Sequence, residues 1–446
     1  MLQISAIVVG LSLSHLAEAR PETAAEHLYR RGVHCQEVLE RNDCAIEKFE
    51  ALMDQRTNQR DLVTDGMLRL ITLYDKEGRS EDIPDVVRRF WDVGRARASS
   101  GHVPYSVRFF PPDVDVLVNL DTPKIAQSGV MKRLGDDARD MLFSCDEARR
   151  ETLKTDRRRR KAERKAKKTG RPVDEVLAES EAKERAYEAE RNRTKGGEPS
   201  PIFVEAACPI ARALGDDDLL GWTRMTGAFD HDHARRSVAA AQIPGLAAKL
   251  EDAQTRGAIV RQGPDHWILA GTDYDGAPIH LASLDVDELV AAPEAIIDDM
   301  IVARGKRRRQ MDRGLAKLVG EVPRDTGFFM VVSEQALVDM SFGGAKKSTR
   351  NFLQALLPRP KGLQVAAVFT DTAALFTRVP TDTPVKAKML AGLANRLLWR
   401  AAEDDPEAAQ WLEGLDIAES TDRKALLASY VAPAGKLGKL EEMIAG

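Results

Sequence analysis

PPDVDVLVNLDTPKI, residues 111–125, and PRDTGFFMVVSEQAL, residues 323–337, align without a gap. Each opens on proline and carries an aspartate two residues on, Asp113 or Asp325. Each then runs apolar, through Val116, Leu117, Val118 and Leu120 in the first and through Phe328, Phe329, Met330, Val331 and Val332 in the second. Each turns polar at Asp121 or Ser333 and returns to an apolar residue at Ile125 or Leu337. A short apolar run closed off by proline and polar residues reads as a buried strand leading into a helix. Stated twice, it predicts an internal duplication of an α+β unit. The halves fall at residues 109–304 and 314–446, around the basic connector GKRRRQMDR at 305–313.

Working outward, each half is expected to run strand, helix, strand, helix, hairpin, helix. That order favours antiparallel pairing with helices on one face. In the first half one helix is expected over 122–144, a short helix over 208–214, a strand over 219–229 and a helix over 231–250. Strands follow at 257–261, 266–272 and 277–284, the last two joined by the hairpin signal Asp275-Gly276. Asp285 is expected to cap a helix that runs through Leu289, Val290, Ile296 and Ile297. The second half is expected to hold a strand at 326–332, a hairpin over 363–379, strands at 415–418 and 425–431, and a closing helix over 435–444. Its long helix starts at Asp382-Thr383-Pro384, with Met389, Leu390, Leu393, Leu397 and Leu398 on one face.

Residues 146–200 interrupt the first half with charge. Between 149 and 171 there are thirteen basic residues against three acidic ones, centred on Arg157, Arg158, Arg159, Arg160 and Lys161. Between 174 and 190 there are seven acids against Lys183 and Arg185. A basic arm followed by an acidic one predicts two helices, or one charged hairpin, pairing antiparallel in water with almost nothing apolar to bury. The functional alternative is contact with an anion or an acidic partner through Arg157–Lys161. No aromatic residue interleaves the basic run, so base stacking is not supported.

The whole chain carries a net charge of −4, with 43% hydrophobic, 30% charged and 5% aromatic residues. Charged residues are somewhat enriched over the usual ~25%. No global field drives it to nucleic acid or membrane, and 446 residues allow roughly two to four domains. Residues 2–16 are apolar and lead to Ala17-Glu18-Ala19, a small-residue cleavage pattern. They are read as a secretory signal peptide over 1–19, too short for the ~20 residues of a membrane span. Peripheral membrane contact stays open. In an exported chain the four cysteines, Cys35, Cys44, Cys145 and Cys208, suggest two disulfides. Three connectivities are allowed, and the local one joins Cys35 to Cys44 and Cys145 to Cys208. The second bond would close a loop of roughly 62 residues, a constraint of about 4 kcal/mol in the chain-entropy picture.

Residues 21–98 read as helical hairpins. Ala45 and Phe49 show the small-then-aromatic spacing of tetratricopeptide repeats, and Tyr74, Gly78 and Ile83 fall at that family's tyrosine, turn-glycine and small-residue spacings. The segment therefore resembles such repeats. It departs from them in having no tryptophan-leucine-glycine opening and no glycine in its first turn, and in placing Ile83 where alanine is usual. Taken together, the chain resembles uncharacterised exported bacterial proteins that join a short repeat-like helical segment to a duplicated α+β region. The resemblance implies a periplasmic or surface protein with no known chemistry.

Catalytic patterns are missing from the sequence. There is no G-x-S-x-G elbow, and Gly343-Gly344-Ala345-Lys346-Lys347-Ser348-Thr349 lacks the glycine spacing of a phosphate loop. The best metal candidate is Asp230-His231-Asp232-His233, with His266 and His280 further on. Alternation would put both histidines of the quartet on one side. The favoured reading is nevertheless a helix N-terminus capped by Asp230. The sequence thus points to an α+β, non-catalytic envelope protein with no cofactor, acting as an interaction or scaffold module toward protein partners. The alternative is a binding protein that holds an apolar ligand or lipid between a curved sheet and its helices. An enzyme with an unfamiliar site is the third reading.

Overall fold

The computed structural model describes residues 22–55, 59–95, 103–194, 206–233, 236–274, 276–323, 326–342, 360–370, 373–404 and 415–432. The expected signal peptide, the glycine-lysine stretch 343–349 and the closing helix 435–444 lie outside the described residues. No helix among the described residues is long and apolar enough to cross a membrane.

The chain forms two compact units, divided after Ser80. The first holds α1 (Ala24–Glu37), α2 (Asn42–Met53) and α3 (Arg60–Lys76). Thr23 starts α1 with a reciprocal capping box. Its hydroxyl accepts from the Glu26 amide, and the Glu26 carboxylate accepts from the Thr23 amide. The Cys35–Cys44 disulfide staples α1 to α2. Phe49 and Leu52 of α2 are fully buried. Gly32 is glycine because a Cβ there would stand 2.6 Å from the Phe49 ring. The second unit starts at Glu81, so its first helix, α4 (Ile83–Arg95), belongs to the sheet region rather than to the helical segment that the sequence runs on to residue 98.

The frame of the second unit is one twelve-stranded sheet in which every pairing is antiparallel. At its middle lie β1 (Val116–Leu120) and, after a long excursion, β8 (Phe328–Ser333). These are the strands of the two repeated phrases, and they are direct neighbours. Val118 sits opposite Met330, the residue with which it aligns. The polar residue at the end of each run, Asp121 just after β1 and Ser333 closing β8, caps the next helix. Asp121 accepts from the Lys124 amide at the start of α5 (Thr122–Gln127), and Ser333 accepts from the Ala336 amide further on.

From α5 the chain continues through α6 (Gly129–Phe143), the charged helices α7 (Glu147–Thr169) and α8 (Val173–Thr194), and α9 (Ala207–Ala213). It then lays down β2 (Arg224–Phe229) and β3 (Ser237–Gln242), and crosses through α10 (Leu246–Thr255). It returns through β4 (Ile259–Gly263), β5 (His266–Tyr274), β6 (Ala277–Asp285) and β7 (Glu288–Ala292). β7 docks on β3, leaving β4 at one edge of the sheet. Next come α11 (Glu294–Gly305) and α12 (Arg313–Gly320), then β8 and α13 (Glu334–Phe342). β9 (Gly362–Phe369), β10 (Ala373–Pro380), α14 (Pro384–Asp404), β11 (Leu415–Glu419) and β12 (Ala425–Ala432) complete it, with β12 docked on β10 and β11 at the other edge.

Several expected elements differ. The helix predicted over 231–250 is a loop, then β3, then the shorter α10. The alanine-rich run SVAAAQ favours a helix locally, but here it is clamped between β2 and β7, and tertiary burial overrides propensity. Asp285 caps no helix, because Leu289 and Val290 belong to β7, reached through a tight turn in which Asp287 takes a positive φ of 57°. The single helix over 122–144 is two, since Ser128 ends α5 and caps α6. The strand near 219 starts only at Arg224.

Helices cover both faces of the sheet rather than one. All five residues of β7 are buried, with Leu289 and Ala291 packed among α9 and α10 and the strand's other face left to α11. The buried Glu288 carboxylate accepts from the amides of Tyr105 and Ser106, so β7 also anchors the 3-10 turn Tyr105–Phe109. In α14, Val385, Met389 and Leu393 are exposed, so the apolar face expected there does not lie inward along its described part. The hairpin at Gly276, with φ 76°, and the pairs β9–β10 and β11–β12 match the expected elements.

Candidate functional site

The candidate site grows from the face of β1 that carries Val116, Val118 and Leu120. Over Leu120 the chain has little to lay down. α5 is six residues long, and the Ser128 hydroxyl, accepting from the Met131 amide at 3.1 Å, redirects the chain into α6. Beside β1, Gly227 of β2 and Ala239 and Ala241 of β3 contribute almost no side-chain volume. The outcome is a cavity of about 430 Å³ between sheet and helices. Leu120, Ile125, Met131, Phe143, Ile210 and Trp222 are among the side chains that wall it.

Two tethers hold the far wall. The Cys145–Cys208 disulfide, Cα atoms 5.0 Å apart, ties the end of α6 to α9, and Cys208 itself faces the cavity. Trp222 donates its indole N–H to Asp216 at 3.0 Å, while the hydroxyl of Thr122, at the start of α5, donates to the Trp222 carbonyl. Among the described residues of the lining, Arg150 near the start of α7 is the one with a charge, whereas the hydroxyl of Thr226 turns to the other face of the sheet, where it donates to Asn119 Oδ1 at 2.7 Å. Leu142, 41% exposed, marks the side on which the cavity meets solvent. A concave apolar space of this size with a few polar groups is the usual form of a small-molecule site.

Comparison with known proteins finds no match. No family model fits the chain, and no curated protein or solved structure is similar to it. What the cavity can do therefore rests on its own chemistry. It can take an apolar body of small-molecule size and offer one cation to a polar head.

The other residues singled out in the sequence fall as follows. The four cysteines form the local pairs, Cys35–Cys44 and Cys145–Cys208. Residues 157–161 sit along α7, and Arg158, Arg159, Arg160 and Lys161 are not among the residues that line the cavity. Arg159 pairs with Glu163 of its own helix at 3.4 Å, and Arg160 faces Asp137 at 3.8 Å. The helices α7 and α8 pair as an antiparallel hairpin around Gly170 in the left-handed conformation. The hairpin does bury a small patch, Ala162, Ala166 and Val176 near its turn, which the charge pattern conceals. Arg171 clamps Glu175 and Glu179 there at 2.9 and 2.8 Å. Hydrogen bonds from Lys183 and Arg171 hold the partly exposed Glu179 carboxyl down to about 2.

Asp230-His231-Asp232-His233 is the loop between β2 and β3, not a helix N-terminus. The segment before β1 supplies its main partner, because Asp115 Oδ1 accepts from the His231 amide at 2.9 Å and Oδ2 meets the ring Nδ1. Burial pushes the Asp115 carboxyl above its usual range, with the charge of Asp230 adding to it and the His231 hydrogen bonds opposing. His266 and His280 lie apart from this loop, facing each other across β5 and β6 with Nε2 2.9 Å from Nδ1. Burial lowers the pKa of His280.

Proposed function

We propose that this protein is a non-catalytic, exported binding protein that carries an amphiphilic, lipid-class ligand. The apolar body would occupy the cavity, and a negatively charged or polar head would meet Arg150. The single observation that carries the reading is the cavity itself, an apolar space left open in a molecule that packs the same sheet tightly elsewhere. Export is supported by two disulfides, which persist in oxidising compartments. Native mass spectrometry of protein purified without detergent tests it. A co-purified lipid, exchangeable for a dansyl-labelled fatty acid, is the expected result. Ala241→Phe, which fills the cavity from β3, removes both signals. Absence of any bound lipid together with no fatty-acid binding would refute the carrier reading.

A second reading concerns the α7–α8 hairpin as a contact surface for a protein partner. It is supported by the exposure of Arg159, Arg160 and Lys161 on a structure tethered at its base by Cys145–Cys208. Deletion of 149–195 with an unchanged partner set would reduce the hairpin to a solvated insertion. We further infer that the two halves of the sheet descend from one duplicated unit. Both run strand, capped helix, hairpin and helix, and both return a last strand onto that hairpin, β7 on β3 and β12 on β10. A tetratricopeptide-like origin for α1 and α2 draws support from Ala45 and Phe49, which are both fully buried.

A further inference from the structure

His231 is held in a way that apolar-ligand binding does not explain. Its ring is nine-tenths buried, with 10% of the side chain exposed. Asp115 grips it twice, at the backbone amide and at Nδ1. A carboxylate accepts, so Nδ1 donates to Asp115, and Nε2 is the nitrogen turned toward the cluster. Nε2 is buried and has no hydrogen-bond partner. It points between two carboxylates from different parts of the fold, Asp232 Oδ1 of the same loop at 3.3 Å and Asp339 Oδ2 of α13 at 3.6 Å. The three atoms lie within 4.8 Å of one another. Asp339 is itself positioned from its own helix, where Oδ2 accepts from Gln335 at 2.5 Å.

These separations are longer than good hydrogen bonds. They match the spacing of donors around one ion. Two ligands bonded to a tetrahedral zinc at about 2.0–2.2 Å stand about 3.4 Å apart. A carboxylate on the far nitrogen of a ligating histidine is the common outer-shell arrangement, because it fixes the tautomer and raises the basicity of the metal-facing nitrogen. One imidazole nitrogen and two carboxylate oxygens suit a divalent transition metal better than calcium, which takes oxygen donors only.

We propose that His231 Nε2, Asp232 and Asp339 form a binding site for a divalent transition-metal ion of the zinc class, with Asp115 as the positioning residue behind His231. The ion would bridge the β2–β3 loop to α13 and so join the two halves of the sheet at the Val116 end of β1. Three protein ligands leave at least one coordination position for water or a ligand group.

The test uses untagged full-length protein stripped with a chelator and titrated with Zn²⁺ and, separately, Co²⁺. One equivalent binds, and the Co²⁺ form shows visible absorption of tetrahedral nitrogen–oxygen coordination without a thiolate charge-transfer band. His231→Gln and Asp339→Asn lower the affinity at least a hundredfold. Asp115→Asn lowers it roughly ten- to a hundredfold while leaving one equivalent. His280→Ala changes neither number. Because Asp232 is 68% exposed, Asp232→Asn tests the site should the buried variants fail to fold. The proposal is overturned by stoichiometric binding that survives Asp232→Asn and His231→Gln. It is equally overturned if neither ion binds and the His231 ring carries two protons at neutral pH by nitrogen NMR, which would make the cluster an ion pair around an imidazolium.

Discussion

At one end of the central strand pair, Leu120 of β1 hands over to a helix capped by Asp121; at the other end, β8 hands over to a helix capped by Ser333. The local chemistry is alike and the outcome is not. Over Val332, α13 sets Ala336 down at full burial, and Val116, Val332 and Ala336 close as a packed cluster with Leu337 beside them. Over Leu120, α5 stops after six residues, and the chain departs through α6 into a disulfide-closed insertion before α9 comes back. The contrast shows that a strand and a cap decide where a helix starts. What fills the space above the strand is decided by the length of that helix and by the side chains on neighbouring strands.

The largest expected effect concerns the tether that only the cavity side needs. Replacing Cys145 and Cys208 by serine releases a loop with a sequence separation of 63. It lowers stability by about 4 kcal/mol by the chain-entropy argument, against about 2.5 kcal/mol for Cys35–Cys44 with its separation of 9. Urea denaturation of the two double variants measures the difference, and equal losses would mean that loop length is not what matters.

Next comes the strand that serves both situations. Leu117→Ala, on the packed face where the residue is fully buried, costs about 3.5 kcal/mol. Leu120→Ala, already facing open space, costs about 1 kcal/mol, because little new cavity is made. A comparable loss for both would contradict the cavity.

The converse substitution follows. Ala336→Phe overpacks the filled side and costs about 3 kcal/mol. Ala241→Phe enters the open side, costs less than about 1 kcal/mol, and blocks fatty-acid binding. Thermal melts of the two variants separate these outcomes.

The smallest effect lies at the hairpin turn. Glu179 titrates at about 2 when folded, below its ordinary 4.5. Its ion pairs therefore support the hairpin fully above about pH 4.5, and that support is lost as pH falls toward 2. Protection of the amides near Val176, corrected for the intrinsic pH dependence of exchange, should fall between pH 4.5 and 2, with no change in corrected protection at Ala336.

The parts of this architecture that were legible carried their cause within a few residues. β1 and β8 announced themselves by apolar runs between proline and a capping side chain. Gly276 marked its hairpin, and the cysteines lay close enough for local pairing. β3 was not legible, because SVAAAQ is read by its alanines as helix until β2 and β7 enclose it. β7 was hidden the same way, its ELVAA merging into the helix that follows. A ligand space between sheet and helices was one of the readings, but its place and lining were not legible, since it is made by what Gly227, Ala239 and Ala241 lack. His231 was noticed among its sequence neighbours, but the groups that define it, Asp115 and Asp339, arrive from over a hundred residues away in either direction.

The pairing of β1 with β8 also bears on how the molecule is made. Each is an interior strand only because the other masks its amides and carbonyls. In a chain that emerges N-terminus first, the first seven strands arrive with that flank bare, and it stays bare until residues 328–333 follow. A chain cut short before that point would offer a naked sheet border to its neighbours, so chaperone protection matters most until β8 is in place.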